Sequence, residues 1–165
     1  MTVGILDALR ADATLIWAVK HDDDAYSPAL LRRLLERSDL VSFSEGERSY
    51  VTLEGVAPEL LVRTGTLVVE THGARGVTWA FGSPDGPHRS GAVAAQAVET
   101  SDTTGAGDTF IGTLAGEAAR AGGISRLGDE QLAALMTFAS NAAAELLRSR
   151  STPGQLVGAP PKETS

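Results

Sequence analysis

Asp102-Thr103-Thr104-Gly105-Ala106-Gly107-Asp108-Thr109-Phe110 is the stretch on which the reading of this chain turns. Small residues lie between two acids, and an apolar, small-residue run follows at once. Gly105 and Gly107 let the main chain turn with few steric limits and let a ligand approach it closely. The run from Thr109 to Arg120 reads as a helix, so its unpaired first-turn N–H groups point back into the glycine loop. Such a start suits a phosphate, through free donors and the positive end of the helix dipole. Asp108 puts a carboxylate where an anion would bind, and accepting a proton from an attacking hydroxyl is the task that fits it. Taken alone, GAGD fits a tight turn with an acidic cap better than a phosphate site.

Other phosphate motifs are excluded. No G-x-x-x-x-G-K-[ST] occurs, and Gly105, Gly107 and Gly112 miss the G-x-G-x-x-G spacing of a dinucleotide turn. At 165 residues the chain reads as one domain with a sizeable core, and 42% apolar residues is an ordinary globular share. Zero cysteines exclude disulfides and thiolate metal sites, and His21, His72 and His88 have no metal-ligand spacing. A net charge of −7 argues against nucleic-acid binding. No apolar run reaches membrane-spanning length and no cleavable leader pattern is visible, so a cytoplasmic protein with no membrane partner is expected.

Upstream of the loop, strands and helices alternate. Residues 3–12 read as a short helix and Thr14–Val19 as a strand buried on both faces, ended by a solvated loop of His21 and the three acids Asp22-Asp23-Asp24. Ser27-Pro28 starts a helix to Arg37, with Leu30, Leu31, Leu34 and Leu35 on one face and Arg32, Arg33 and Arg37 on a solvated one. Leu40–Ser44 reads as a strand, 56–64 as a short helix or loop closed by Gly65 at its C′ position, and Thr66–Thr71 as another strand. Val77–Phe81 returns as a hairpin partner, and a further short strand lies near His88–Val93. Downstream, Gly112 and Gly116 read as packing glycines, Gly122-Gly123 breaks the helix, and Asp129 caps another that runs to about Arg148. The pattern is an α/β layered domain with a largely parallel sheet.

DTTGAGDTF followed by Ile111-Gly112-Thr113-Leu114-Ala115 resembles the signature of the ribokinase-like (PfkB) carbohydrate kinases. The resemblance implies that Asp108 is the catalytic base and that Gly105, Ala106 and Gly107 form an anion hole. Phe43-Ser44-Glu45-Gly46-Glu47 resembles a strand ending in Asn-x-x-Glu, which would make Glu47 the residue that places water-coordinated magnesium, with Ser44 where Asn is usual. Thr71-His72-Gly73-Ala74-Arg75-Gly76 is similar to a Thr-x-Gly-x-x-Gly turn that contacts nucleotide phosphates, so Thr71 and Gly73 fall on ligand positions. Asn141 stands where the family often has an Asn near the adenine, and fits equally an exposed helical Asn. Asp102 and Thr104 match the first ligands of a monovalent-cation loop. The second such loop usually reads Gly-Ala, but here the chain has Arg150-Ser151-Thr152-Pro153, so weak or absent potassium dependence is expected.

The resemblance covers residues 13–150 and the C-terminal half of the family. It implies a layered αβα, ribokinase-like (Rossmann-like) fold without the N-terminal half and lid, in which 1–150 is the nucleotide-binding and catalytic part and 151–165 a poorly ordered tail. The implied activity is ATP-dependent phosphoryl transfer, with Mg2+, to a hydroxyl of a sugar or sugar-like small molecule. The alternative is a truncated or degenerate nucleotide-binding module that does not turn over. An incomplete sheet would expose an edge, so self-association is also an expectation.

Overall fold

A computed structural model of the chain describes residues 2–10, 12–22, 24, 26–86, 88–100 and 102–151. The elements in order are α1 (Thr2–Ala8), β1 (Ile16–Ala18), α2 (Pro28–Arg37), β2 (Leu40–Ser44), α3 (Pro58–Leu61), β3 (Leu67–Thr71), β4 (Val77–Phe81), β5 (Arg89–Val93), α4 (Ala106–Arg120) and α5 (Asp129–Ser151). Short 3-10 turns cover Glu45–Val51, Gly73–Arg75 and Ile124–Arg126. The five strands form one sheet in chain order, β1-β2-β3-β4-β5. β1, β2 and β3 are parallel neighbours, whereas β4 and β5 follow as antiparallel partners, so every strand except β4 runs the same way.

Alternation along the strands divides the apolar residues between two cores. Leu40, Leu67, Val69, Val77, Trp79 and Phe81 point to the face covered by α4 and α5, where they meet Phe110, Leu114, Leu132 and Met136. Val41, Phe43 and Val68 point to the other face, with Trp17, Leu6 of α1 and the leucines of α2. Ser27 caps α2 by accepting from the Leu30 amide at 3.3 Å, Pro28 pre-sets its first turn, and Leu30, Leu31, Leu34 and Leu35 are all buried. Each such leucine contributes about 1.5–3 kcal/mol relative to an exposed one. This is a layered αβα arrangement, as expected.

Several local expectations are corrected. α1 ends at Ala8, and β1 is an edge strand in which only Trp17 is buried. The arginines of α2 are not all simply solvated: Arg33 pairs with Asp7, while Arg37 donates to the Ala13 carbonyl at 2.9 Å and lies 3.7 Å from Asp39. Gly65 does not close α3, whose C-cap is Val62; it takes φ +90° in the following turn. Asp129 is the first residue of α5, not its cap. The Gln131 side chain accepts from the Gly128 amide at 2.9 Å, and Asp129 pairs with Arg89 at 2.6 Å. Among the described residues Gly112 and Gly116 pack against no other element: added Cβ atoms would meet nothing within 4 Å at the first and only the Arg120 guanidinium, 3.9 Å away, at the second. Asp23 and the expected tail from Thr152 onward lie outside the described residues.

The 3-10 turn after β2 is tied to the sheet by Arg48, whose guanidinium lies 2.6 Å from Glu70 of β3 and 3.2 Å from Glu59 of α3. Both carboxylates are mostly covered, so Arg48→Met leaves two acids facing each other with no cation between them. Partial exposure of Arg48 discounts the loss, and chemical denaturation should show about 1–2 kcal/mol lower stability. A change below about 0.3 kcal/mol would show that water alone satisfies the pair.

Candidate active site

The carboxyl ends of β1, β2 and β3 lie along one edge of the sheet, where open α/β sheets bind ligands. β2 and β3 each deliver one of the segments singled out from the sequence. β2 ends at Ser44, whose amide and hydroxyl both donate to Glu47 Oε2 at 2.7 Å, a reciprocal box that fixes the Glu47 carboxylate at the mouth of the turn. Ser44 sits beside Thr71 in the parallel register of β2 and β3. The Thr71 hydroxyl donates to the Phe43 carbonyl at 3.5 Å, and Arg75 pairs with Glu45, so the two turns are joined. His72 shapes its turn through Nε2, 2.9 Å from the Thr78 hydroxyl, and through its amide on the Gly76 carbonyl at 2.8 Å.

The glycine loop meets these turns from the opposite side. α4 starts at Ala106, three residues earlier than expected, so Ala106, Gly107 and Asp108 are themselves the first turn. Gly105 is the N-cap, in the left-handed region with φ +81° and ψ −5°. The Ala106 amide donates to the Thr103 carbonyl at 3.2 Å and Thr109 to the Gly105 carbonyl at 2.9 Å. The amides of Gly107 and Asp108 have no acceptor among the described residues. Thr71, Gly73, Ala106 and Gly107 line one cleft of about 300 Å³, closed on the α5 side by Ser140 and Leu147. Asn141 is half-buried on the same helix but is not part of that lining, and neither are Gly105, Asp108 and Glu47. A larger groove of about 620 Å³ lies along β1 and α4 at Ile16, Ala115 and Ala118, away from the free amides.

Asp108 turns toward β1. Lys20, just beyond that strand, places Nζ 3.1 Å from Asp108 Oδ1, with both side chains open to solvent. Sequence reading missed Lys20. The signal was its position, a lone cation between the apolar run of β1 and the acids from Asp22 to Asp24. Arg150 was missed as well: from the last turn of α5 its Nη1 donates to the Thr104 carbonyl. Thr104, through its hydroxyl and its amide at 2.9 Å from Oδ1, holds the Asp102 carboxyl below the usual carboxylate range, with a smaller contribution from Arg150.

The model of the pfkB family of carbohydrate kinases matches residues 18–156, a span that contains every segment of this site. The chain belongs to that family. Solved structures of pfkB-type sugar kinases share the fold. A sugar kinase of Pyrococcus horikoshii, in complex with ATP, superposes with a TM-score of 0.65 at 23% identity, over 87% of this chain and 44% of that one. Fructokinase of Xylella fastidiosa with bound ATP gives 0.67 at 20% identity, over 82% and 46%. Fructokinase of Vibrio cholerae O395 in a fructose, ADP and calcium ion bound form gives 0.57 at 28% identity, over 73% and 38%. The chain spans less than half the length of these pfkB-type structures. No curated protein matches it. Among the described residues, no helix is long and apolar enough to cross a membrane.

Proposed function

We propose that the chain carries the nucleotide and phosphoryl-transfer side of an ATP-dependent sugar kinase. The observation that carries this reading is the first turn of α4, which carries two free amides and the Asp108 carboxylate and whose Ala106 and Gly107 line one cleft with Thr71 and Gly73. The nucleotide phosphates lie in the cleft, against the Gly73 turn and the Gly107 and Asp108 amides. Asp108 takes the proton of the acceptor hydroxyl as its oxygen bonds the terminal phosphorus and the bond to ADP breaks. The two amides donate to the oxygens on which charge spreads, an effect that usually dominates such transfers. Lys20, with Nζ 3.1 Å from Asp108 Oδ1, places a positive charge beside the transferring group.

Glu47 suits magnesium held through water: one carboxylate oxygen is fixed by Ser44, and such an ion usually keeps several waters and takes few protein ligands. When bound, the ion supplies neutralisation of phosphate charge. Among the described residues no group of three His, Asp or Glu is gathered to hold a metal without the nucleotide. The acceptor is a small sugar-like molecule, with no role for nucleic acid or a membrane surface, and the cytoplasm is the fitting compartment.

A second reading, nucleotide binding without turnover, is favoured by one observation: the chain spans 38–46% of the solved kinases quoted above. Without walls to hold an acceptor in line, the transfer loses a positioning advantage that reaches roughly 7–11 kcal/mol. Residues 1–165 are therefore expected to bind Mg-ADP weakly by calorimetry and to phosphorylate no member of a sugar and nucleoside panel at an appreciable rate. Efficient sugar phosphorylation would overturn the half-site reading. A folded chain that binds no nucleotide would overturn both readings.

A further inference from the structure

Asp102 and Thr104 do not fit a bound potassium ion here, because a side chain of the protein already holds the position. The Thr104 carbonyl accepts from Arg150 Nη1. The guanidinium lies beside Gly105, where an added Cβ would stand 3.6 Å from both Nη1 and Nη2 and 3.5 Å from Leu146 Cδ2. The Asp102 carboxylate accepts the Thr104 amide on the same loop and feels the Arg150 charge without an ion-pair contact. Arg150 reaches them from the carbonyl end of the 23-residue α5, where a positive side chain is already favoured.

The consequence falls on the free amides. Were α4 to extend by one residue toward its N-terminus, the Asp108 amide would bond the Thr104 carbonyl. Gly105, at φ +81°, ends the helix before that bond, Arg150 fixes the Thr104 carbonyl outside it, and the Asp108 N–H keeps no acceptor among the described residues. We propose that Arg150 is a positioning residue, a built-in cation that grips the Thr104 carbonyl beside Asp102 and so holds the phosphate-binding turn open without a metal ion. The inference rests on the reading that the start of α4 binds nucleotide phosphate. An arginine suits the task better than a lysine, since its planar fork can donate to the carbonyl from Nη1 while Nη2 stays beside Gly105.

The test uses the full 165-residue chain, Arg150→Met and Arg150→Lys, each titrated with Mg-ADP by calorimetry in sodium and in potassium chloride. The original chain should bind equally in both salts. Arg150→Met should bind about tenfold more weakly in sodium, as expected for losing one charge-assisted hydrogen bond, and should recover in potassium, which can occupy the vacated carbonyl and carboxylate oxygens. Arg150→Lys should fall between. Hydrogen exchange at residues 103–108 gives a readout that needs no nucleotide: it should quicken in Arg150→Met in sodium and slow again in potassium. Unchanged affinity and exchange in Arg150→Met, or a strong potassium effect on the original chain, would overturn the proposal. Absence of Mg-ADP binding in the original chain, with the exchange response intact, would instead overturn the nucleotide reading and leave the loop role standing.

Discussion

Asp108→Asn should slow phosphoryl transfer about 10² to 10⁴-fold, whether the acceptor is a sugar hydroxyl or water entering the open site. The change keeps the size of the side chain and removes its ability to take a proton. Binding of Mg-ADP should stay within about threefold, because the Gly107 and Asp108 amides belong to the backbone and remain unpaired. The melting temperature should shift by no more than about 2 °C, since the Lys20–Asp108 pair is open to solvent and such pairs add little stability. Coupled assays and calorimetry on the same preparation separate these effects. Turnover near that of the original chain would remove Asp108 from the role of base.

Gly76→Ala should have the largest effect on stability. Gly76 ends the turn that carries Gly73, with φ +103° and ψ −143°, a region that essentially only glycine occupies. A Cβ there would stand 2.0 Å from the Val93 carbonyl oxygen and 2.9 Å from Ala94 Cα, both main-chain atoms that cannot swing aside. Strain and overpacking together should cost roughly 3 kcal/mol, read as a fall of about 10 °C in the melting temperature. Mg-ADP binding should weaken too, because Gly73 and Thr71 line the cleft from the same turn. Gly86→Ala is the control: φ is +107°, but nothing lies within 4 Å, so only the backbone strain of about 1–2 kcal/mol remains. Equal losses in the two variants would show that the contact with Val93 is not what matters at Gly76.

Where local chemistry decides an element, the sequence was enough. β2 and β4 and the start of α2 lie where apolar runs, turn residues and the Ser27-Pro28 pair put them. The order of the Glu47, Thr71 and Asp108 segments also carried the family, because each marks the carboxyl end of a strand or the start of a helix. What escaped depends on partners distant in sequence. Lys20 and Asp108 are 88 residues apart, and Arg150 and Thr104 are 46 apart, so no local pattern announces either contact. Asp129 looked like a cap until Arg89, 40 residues away, claimed it. The start of α4 was misplaced because Ala-Gly looks like loop chemistry, while the left-handed Gly105 stops the helix and leaves the next two residues helical.

The division of the apolar residues between two cores also has a bearing on synthesis. The core on the α1 and α2 side draws its buried residues from Leu6 to Val68, whereas the other needs residues from Leu40 to Ala139. As the chain leaves the ribosome, the first core is complete in sequence long before α4 and α5 exist. Domains and their parts tend to form in that N-to-C order during translation. The opposite face of the sheet, with Leu67, Val69 and Trp79, then waits uncovered for about seventy residues of further synthesis, roughly 4 to 14 s at usual rates. That interval is when this chain most needs a chaperone, and slowing elongation after Val69 should lengthen it.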